Sequence, residues 1–243
     1  MMHKLKAFSL HLILSILIAI GVIYLVFYIW YPAPLHSAVG VTHIFIILLC
    51  VDVALGPLLT LLVYKSGKKT LAFDLSVIAI LQLSALLFGV WTTAEGRPVW
   101  LVYGADHFEL VRALDIDERN TGSHSLYAQP SWFGPKWVGA AMPLDLQRSN
   151  EIIFESVSGG FDIYQRPNLY RPLIDMRDSI ERNMHDLAEL ESYNKKEVID
   201  AVILRNPTAN SWLPLRANNQ DMVVLMMKET SEVVNIVDLR PWN

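Results

Sequence analysis

Three long apolar stretches separated by short polar segments dominate the first 96 residues. They run from Phe8 to Trp30, from Val41 to Tyr64 and from Leu71 to Thr93. At about 1.5 Å per residue, the first stretch forms a helix of roughly 35 Å, which is long enough to cross the hydrocarbon core of a bilayer. The pattern therefore predicts a three-span transmembrane domain over residues 1–96.

A cleaved secretory signal is the alternative for the first stretch. The apolar region of such a signal is about 7 to 15 residues long. Phe8 to Trp30 is longer than that, and no clear Ala-x-Ala cleavage site follows it. We therefore expect the first helix to stay in the mature protein.

Residues 97–243 have shorter apolar runs and enough length to bury a core as one domain. Two helices are expected, one capped by Ser149 or Asn150 and ending at Gly159-Gly160, the other from Asp175 to Asn194, where apolar residues recur at helical spacing. The expected strands are 99–103, 107–114, 136–141, 212–216, 221–228 and 233–239, with hairpins joining the first two and the last two. The pattern predicts an α+β domain.

Composition separates the same two parts. The chain is 53% hydrophobic and 18% charged, with a mean hydropathy of +0.33, which excludes an ordinary soluble enzyme and a disordered chain. Residues 1–96 hold 5 Lys and Arg against 3 Asp and Glu, whereas residues 97–243 hold 15 against 21, so the net charges are +2 and −6. The overall charge of −4 argues against a nucleic-acid partner. The single cysteine, Cys50, excludes an intrachain disulfide.

The cations near the spans predict the orientation, because positive side chains stay on the cytoplasmic face during insertion. They precede the first span and fill the turn between the second and third, at Lys4, Lys6, Lys65, Lys68 and Lys69; the loop 31–40 has none. The N-terminus should then be cytoplasmic and residues 97–243 should lie outside, in the periplasm of a bacterium. We expect amphipathic aromatics to ring the outer interface at Tyr28, Trp30, Tyr31, Trp91 and Trp100.

Several polar residues lie within the predicted spans. Asp52 is near the middle of the second span, at a depth similar to Gln82 of the third, so we expect this pair to meet inside the bundle. His11 and Asp74 share a depth near the cytoplasmic boundary and form the second candidate pair. Pro57 frees the carbonyl of residue 53, which predicts a kink between residues 52 and 60.

These polar residues allow three interpretations. They could form a satisfied cluster that fixes how the spans pack, a polar surface that binds another helix in the bilayer, or a proton or ion relay. Transport is the least favoured, because three spans show no inverted repeat and cannot alone build an alternating-access transporter.

Catalytic motifs are absent from the sequence. There is no G-x-S-x-G elbow, no phosphate-binding glycine loop and no H-E-x-x-H. Asp106-His107 and Ser123-His124-Ser125 offer suitable atoms, but their spacing does not bring several ligands together, so surface or turn roles are expected. Met176 and Met184 are expected in the core, and the acidic face of helix 175–194 is interpreted as solvated or as a docking surface for a basic partner. We therefore predict no catalytic residue, cofactor or metal.

Nine ordered segments resemble the TfpX/TfpZ type IV pilin accessory proteins, also called FimB-like. They are WYPAP (30–34), VDVALGPLLTL (51–61), KSGKK (65–69), FDLSVI (73–78), RPV (97–99), FELV (108–111), LPLRA (213–217), DMVVL (221–225) and IVDLRPW (236–242). The similarity extends from end to end, except for residues 115–135 and 183–211.

The resemblance implies an inner-membrane protein that assists or modulates type IV pilus assembly and dynamics for a particular major pilin, possesses no known catalytic residue and is not itself a subunit. A pilin would begin with a processing glycine, an aromatic and an early glutamate, which are absent before the first span.

We hypothesise that groups around Asp52, Gly56 and Thr60, or Asp74 at the cytoplasmic edge, contact the pilin helix in the bilayer. The domain beyond residue 97 would contact the pilin head, and the pilus assembly machinery is a further candidate partner. Two alternatives stay open: a membrane-bound enzyme acting on pilin or envelope precursors, and a small proton-coupled transport component centred on Asp52.

Overall fold

The computed structural model describes residues 2–120 and 126–242 of the chain. Contacts divide it into two compact units. The first comprises Met1–Pro32 and Val41–Gly96, and the second comprises Ala33–Gly40 and Arg97–Asn243. The predicted Ser123-His124-Ser125 turn lies outside the described residues.

The first unit is a bundle of three long helices. Helix α1 spans Met2–Tyr24 and continues as a π-helical segment, Leu25–Trp30. Helices α3 and α4 span Val41–Val63 and Leu71–Glu95. All three are long and apolar enough to cross a membrane, which confirms the predicted spans. Helix α3 continues through Pro57.

Large apolar side chains cover the outside of this bundle. Leu62, Phe73 and Phe88 are each more than two-thirds exposed. In water such a surface would be strongly unfavourable, whereas hydrocarbon solvates it. Inside the bundle, Gly89 of α4 leaves room for Leu48 of α3, and the Tyr31 hydroxyl donates to the Thr93 carbonyl at 2.7 Å. Close contact at small residues is the usual way for helices to pack in lipid.

The second unit is a mixed eight-stranded sheet with helices on its faces. Its strand order is β4-β3-β1-β2-β6-β7-β8, with β5 paired to β6. The pairs β1–β3 and β2–β6 are parallel, and the others are antiparallel. The strands are β1 Pro98–Gly104, β2 His107–Arg112, β3 Lys136–Ala140, β4 Tyr170–Arg171, β5 His185–Asp186, β6 Ser211–Arg216, β7 Met222–Met227 and β8 Glu232–Val237; the helices are α2 Leu35–Val39, α5 Leu146–Val157, α6 Arg177–Asn183 and α7 Lys196–Arg205.

Side chains alternate between the two faces of this sheet, as a pleated strand requires. On one face, β1, β2, β6 and β7 build a single buried cluster that packs against α2 and Ile180 of α6. On the other face, one cluster around Trp100 packs against Tyr164 and Tyr170, and another around Trp212 packs against Ile199 of α7. The sheet is therefore buried on both faces over most of its width.

Residues 33–40, which join α1 to α3, belong to the core of the second unit; we name them the first-loop segment. Leu35 is 2% exposed and Ala38 is fully buried, both within the cluster on the sheet. The backbone amides of Asn219 and Gln220 donate to the Ala38 carbonyl at 3.0 and 3.1 Å. Gly40 ends the helix at φ +80°, where a Cβ would lie 2.8 Å from Asn219 Cγ. The sequence pattern did not predict this packing.

The strand predictions are largely confirmed. Hairpins β1–β2 and β7–β8 form as expected, β3 and β6 lie at the predicted positions, and Met176 and Met184 pack against the core. The predicted interfacial ring is wrong for Trp30, Tyr31 and Trp100, which are 6%, 1% and 2% exposed and therefore buried within the protein.

The predicted helix 175–194 is wrong. The segment contains a 3₁₀ turn (Leu173–Met176), the short α6, strand β5 and a second 3₁₀ turn (Leu187–Ser192). The break occurs because Trp212 donates to the Asp186 carbonyl at 3.0 Å and β5 pairs with β6, contacts that compete with a continuous helix. The Asp186 amide also donates to Glu189, which caps the second turn.

The other helices also differ from expectation. Helix α5 begins earlier than predicted, because Asp145 rather than Ser149 or Asn150 accepts the amides of Gln147 and Arg148, at 2.8 and 3.3 Å. Helix α7 was not predicted.

Replacing Leu35 with Ala should destabilise the second unit by about 2 to 5 kcal/mol, because it removes a fully packed leucine from the sheet core. Thermal unfolding of the full chain in detergent should show a lower Tm, and hydrogen exchange should quicken in peptides covering β2, β6 and β7. His36→Ala, one residue away and half-buried, is the matched control and should change both far less. Equal effects of the two substitutions would contradict the role given to Leu35.

Candidate functional site

A polar cluster joins the three helices of the first unit. His11 Nδ1 lies 2.7 Å from Thr60 Oγ1, and His11 Nε2 lies 2.9 Å from Gln82 Oε1. Gln82 Nε2 donates to Ser15 Oγ and to the main-chain carbonyl of Asp52, both at 3.1 Å. The Gln82 amide thus bonds to α1 and α3 from α4, and these five residues are named the polar cluster below.

The directions of these bonds fix a proton on His11. Gln82 Oε1 can only accept, so His11 Nε2 must carry hydrogen and donate to it. A neutral His11 then accepts the Thr60 hydroxyl at Nδ1. Thr60 and Ser15 are both buried. The cluster therefore satisfies polar groups that would be costly to leave unpaired in hydrocarbon.

Gly56 makes the approach of Gln82 possible. A Cβ at residue 56 would overlap the Gln82 side-chain amide. That amide cannot simply rotate away, since it holds His11, Ser15 and Asp52. Gly56 and Pro57 are buried, so both act within the bundle rather than on its surface.

Asp52 is half-buried and lines a groove between α3 and α4. The groove has a volume of about 180 Å³, and most of its wall is apolar: Val51, Leu55, Leu59, Ile78, Leu81 and Ala85, with Asp52, Gly56 and Gln82. Leu55 and Leu81 are more than half exposed, so the groove opens on the outside of the bundle. We name it the α3–α4 groove.

Asp74 does not pair with His11, and that sequence prediction is wrong. The Asp74 carboxylate lies 2.6 Å from Lys68 Nζ and accepts from Thr70 Oγ1 at 3.2 Å. The expected depth of His11 was wrong, because α1 begins at Met2 and His11 therefore lies at the level of Gln82, eight residues beyond Asp74 on α4. Ser15 was missed, although it lies four residues after His11 and so on the same helix face.

A second cavity, of about 330 Å³, lies in the second unit and is named the outer cleft. It is lined by Asp106, His107, His185, Glu189, Tyr193, Trp212, Pro214, Arg216, Pro241 and Trp242. His107 Nδ1 lies 2.8 Å from Asp106 and 3.4 Å from the Tyr164 hydroxyl, and His185 lies 3.0 Å from Glu189. Asp162, by contrast, caps the turn at Ile163.

Charge in the outer cleft favours a protonated His107. Burial lowers the pKa of His107, but the adjacent Glu109 and Asp106 carboxylates outweigh this effect and the pKa lies above its ordinary value. The pKa of Asp106 is correspondingly lowered by its bond to His107. The residues that line the outer cleft include no serine, threonine, cysteine or lysine; the groups there that can act as nucleophiles are carboxylates, histidines and a tyrosine. Within residues 2–120 and 126–242, no cluster of three His, Cys, Asp or Glu could hold a metal ion.

A closed ion-pair network fixes α5 to the rest of the second unit. Buried Asp117 accepts from Arg119 Nε at 2.8 Å and lies 3.5 Å from Arg166, while Arg166 Nη2 lies 2.6 Å from Glu155 of α5. Hydrogen bonds from Arg119 lower the pKa of Asp117. Because each charge is paired within the network, its role is structural.

Comparison with known proteins gives consistent relatives. A family described as fimbrial assembly protein FimB matches residues 1–40. Two fimbrial assembly proteins of Dichelobacter nodosus, of serogroups E1 and I, are 27% and 25% identical over 96% of this chain and 94% of their own lengths. A third, of serogroups C1 and C2, is 33% identical over 46% of this chain and 86% of its own length.

The chain belongs to the FimB family of fimbrial assembly proteins. The residues matched by the FimB family pattern include α1 and the first-loop segment, so the FimB match extends from the bundle into the core of the second unit. No solved structure matches this FimB family member.

Replacing Gly56 with Ala should destabilise the bundle of this FimB family protein by about 1 to 3 kcal/mol, because the new methyl group displaces the Gln82 amide from its partners. Gly21→Ala is the matched control, since a Cβ there meets no atom within 4 Å. Thermal denaturation in mild detergent should show a lower Tm for the first variant only. The double variant Gly56→Ala/Gln82→Ala should lose less than the sum of its single substitutions; strict additivity would contradict the contact.

Proposed function

We propose that this protein acts in pilus assembly as a non-enzymatic accessory factor of the bacterial inner membrane that contacts a cognate type IV major pilin. It would contact the pilin helix within the bilayer and the pilin head in the periplasm. The observation that carries the proposal is the α3–α4 groove, which joins an apolar wall to one carboxylate and opens on the outside of the bundle. The names of the fimbrial assembly relatives support the assembly role.

The groove defines the chemistry of its partner. An apolar helix could pack against Leu55, Leu59 and Leu81, with small residues allowing close approach. Asp52 has acceptor capacity for a donor on that helix, such as a hydroxyl, an amide or a cation. In hydrocarbon a hydrogen bond of this kind adds about 1 kcal/mol and mainly sets register. A pilin waiting in the membrane with a single apolar helix would fit this description.

Contacts inside the bundle reduce the number of candidate residues that can bind the partner helix. Thr60 is buried and bonded to His11, and Gly56 is covered by Gln82. Asp74 is engaged by Lys68. Of the four candidates Asp52, Gly56, Thr60 and Asp74, we therefore propose that Asp52 contacts the partner helix, together with the exposed leucines of the groove.

The second unit would supply a separate contact with the pilin head. The proposed orientation, with Lys4, Lys6, Lys65, Lys68 and Lys69 on the cytoplasmic side, places residues 97–243 in the periplasm. Two weak contacts on one molecule reinforce each other, because the first raises the effective concentration for the second. Specific recognition of one pilin then needs neither contact to be strong.

A catalytic role has less support. The outer cleft offers acid–base pairs but no serine, threonine, cysteine or lysine among its lining residues, and Asp162 is engaged in capping a turn. Transport through Asp52 has less support as well, because seven of the nine residues that line the α3–α4 groove are apolar residues or glycine.

Photocrosslinking tests the helix contact. A photoreactive residue at Leu55 or Leu81 should crosslink to pilin in cells, whereas the same residue at Leu62, which is 75% exposed on α3 but outside the groove, should not. Asp52→Leu should reduce the Leu55 crosslink severalfold and Asp52→Asn less, since an amide keeps one acceptor. Asp74→Asn is the matched control and should leave it unchanged. Equal crosslinking from all three positions, together with an unchanged Leu55 crosslink in Asp52→Leu, would refute the proposed contact between the groove and pilin.

Exchange of the second unit tests the head contact. Replacing both the first-loop segment and residues 97–243 with those of a relative that serves another pilin should switch pilin preference, measured as surface pili of each type. The first-loop segment must be exchanged too, because its side chains complete the core. Unchanged preference in a stably expressed chimera would place recognition in the bundle instead.

A further inference from the structure

The loop Ser131–Phe133 of the second unit presents two consecutive large aromatic side chains. Trp132 is 52% exposed and Phe133 is 86% exposed. The loop is ordered by local bonds, since the Phe133 amide donates to Ser131 Oγ at 3.1 Å. Holding two aromatic rings at a surface is unfavourable in water, so such a pair indicates a contact with something less polar.

This loop is held by Arg97, whose position in the chain shows which segment the loop lies beside. Arg97 Nε donates to the Ser131 carbonyl at 3.2 Å, and the Arg97 guanidinium lies 3.9 Å from the centre of the Trp132 ring. Arg97 is separated from the end of α4 by Gly96 alone. The loop is therefore attached to the first residues of the chain that follow the third span.

The length of α4 locates those residues along the membrane normal. Its 25 residues extend about 37 Å, compared with a hydrocarbon core of about 30 Å. A chain that leaves this helix is then at the level of the lipid headgroups. Tryptophan is favoured at that level, because its ring can bury its apolar part while the indole N–H stays hydrated. A phenylalanine beside it adds a wholly apolar ring that can enter the boundary with the acyl chains.

We propose that Trp132 and Phe133 form a membrane-interface anchor of the second unit, inserted at the lipid headgroup boundary beside Arg97. Trp132 thereby takes the place that the sequence analysis gave to Trp100, which is buried in the core. Lys136, exposed three residues beyond Phe133, can reach lipid phosphates while its aliphatic stem follows the apolar surface. The anchor needs no pilin and is independent of the proposed function.

Site-directed spin labelling tests the anchor in the full chain. Cys50 is the only cysteine, so Cys50→Ser gives a background in which Phe133→Cys carries one nitroxide. The protein is reconstituted in phosphatidylethanolamine/phosphatidylglycerol liposomes without pilin, and collision rates are measured with oxygen, which concentrates in lipid, and with a water-soluble nickel chelate. Phe88→Cys on α4 and Leu204→Cys on α7, which are 72% and 83% exposed, provide the lipid and water references.

The oxygen-to-nickel ratio at residue 133 should be severalfold higher than at residue 204 and lower than at residue 88. A ratio equal to that at residue 204 would overturn the anchor. A residue 133 label that is water-accessible in liposomes but becomes shielded from both reagents when purified pilin is added would also overturn it, and would make the loop a protein contact. Because Phe133 is almost fully exposed, its substitution leaves the core intact.

Discussion

The Gln82 side-chain amide is the interaction on which the membrane bundle depends. Its oxygen accepts from His11, and its nitrogen donates to Ser15 and to the Asp52 carbonyl. In hydrocarbon no water can replace a lost partner, so each of these bonds restricts how the helices may slide or rotate. Dispersion between aliphatic side chains is less directional than a hydrogen bond, so it discriminates less sharply between neighbouring registers. One amide thus sets register for three helices.

The chain connectivity adds a second constraint. The first-loop segment leaves α1, packs Leu35 and Ala38 into the sheet core, and returns as α3. The second unit is consequently built from two parts of the chain that are separated by two spans. Its core cannot be completed until all three spans, α1, α3 and α4, have been synthesised. Folding of the second unit is therefore coupled to insertion of the spans into the bilayer.

The sequence predicted the elements that depend on local composition and missed those that depend on contacts between residues far apart in the chain. Long apolar stretches identify spans because no other environment tolerates them, and the hairpins follow from short-range alternation with turn residues. The helix expected at 175–194 failed because Asp186 and Trp212 meet only in the folded sheet. Leu35 and Ala38 carry no periodic signal in a ten-residue loop, and His11 finds partners 49 and 71 residues away, beyond any local pattern.

Asp52 belongs to the polar cluster and also lines the α3–α4 groove. The two N–H groups of the Gln82 amide are directed to Ser15 and to the main chain of residue 52. The main chain of residue 52 therefore helps to close the cluster, and the Asp52 carboxylate also interacts with the Gln82 side chain and with His11. A carboxylate near the centre of a span costs about 2.5 to 3.5 kcal/mol, and its contacts with Gln82 and His11 offset this cost only in part. Because Asp52 also lies on the wall of the α3–α4 groove, its carboxylate can serve the internal cluster and still be reached by the partner helix proposed above.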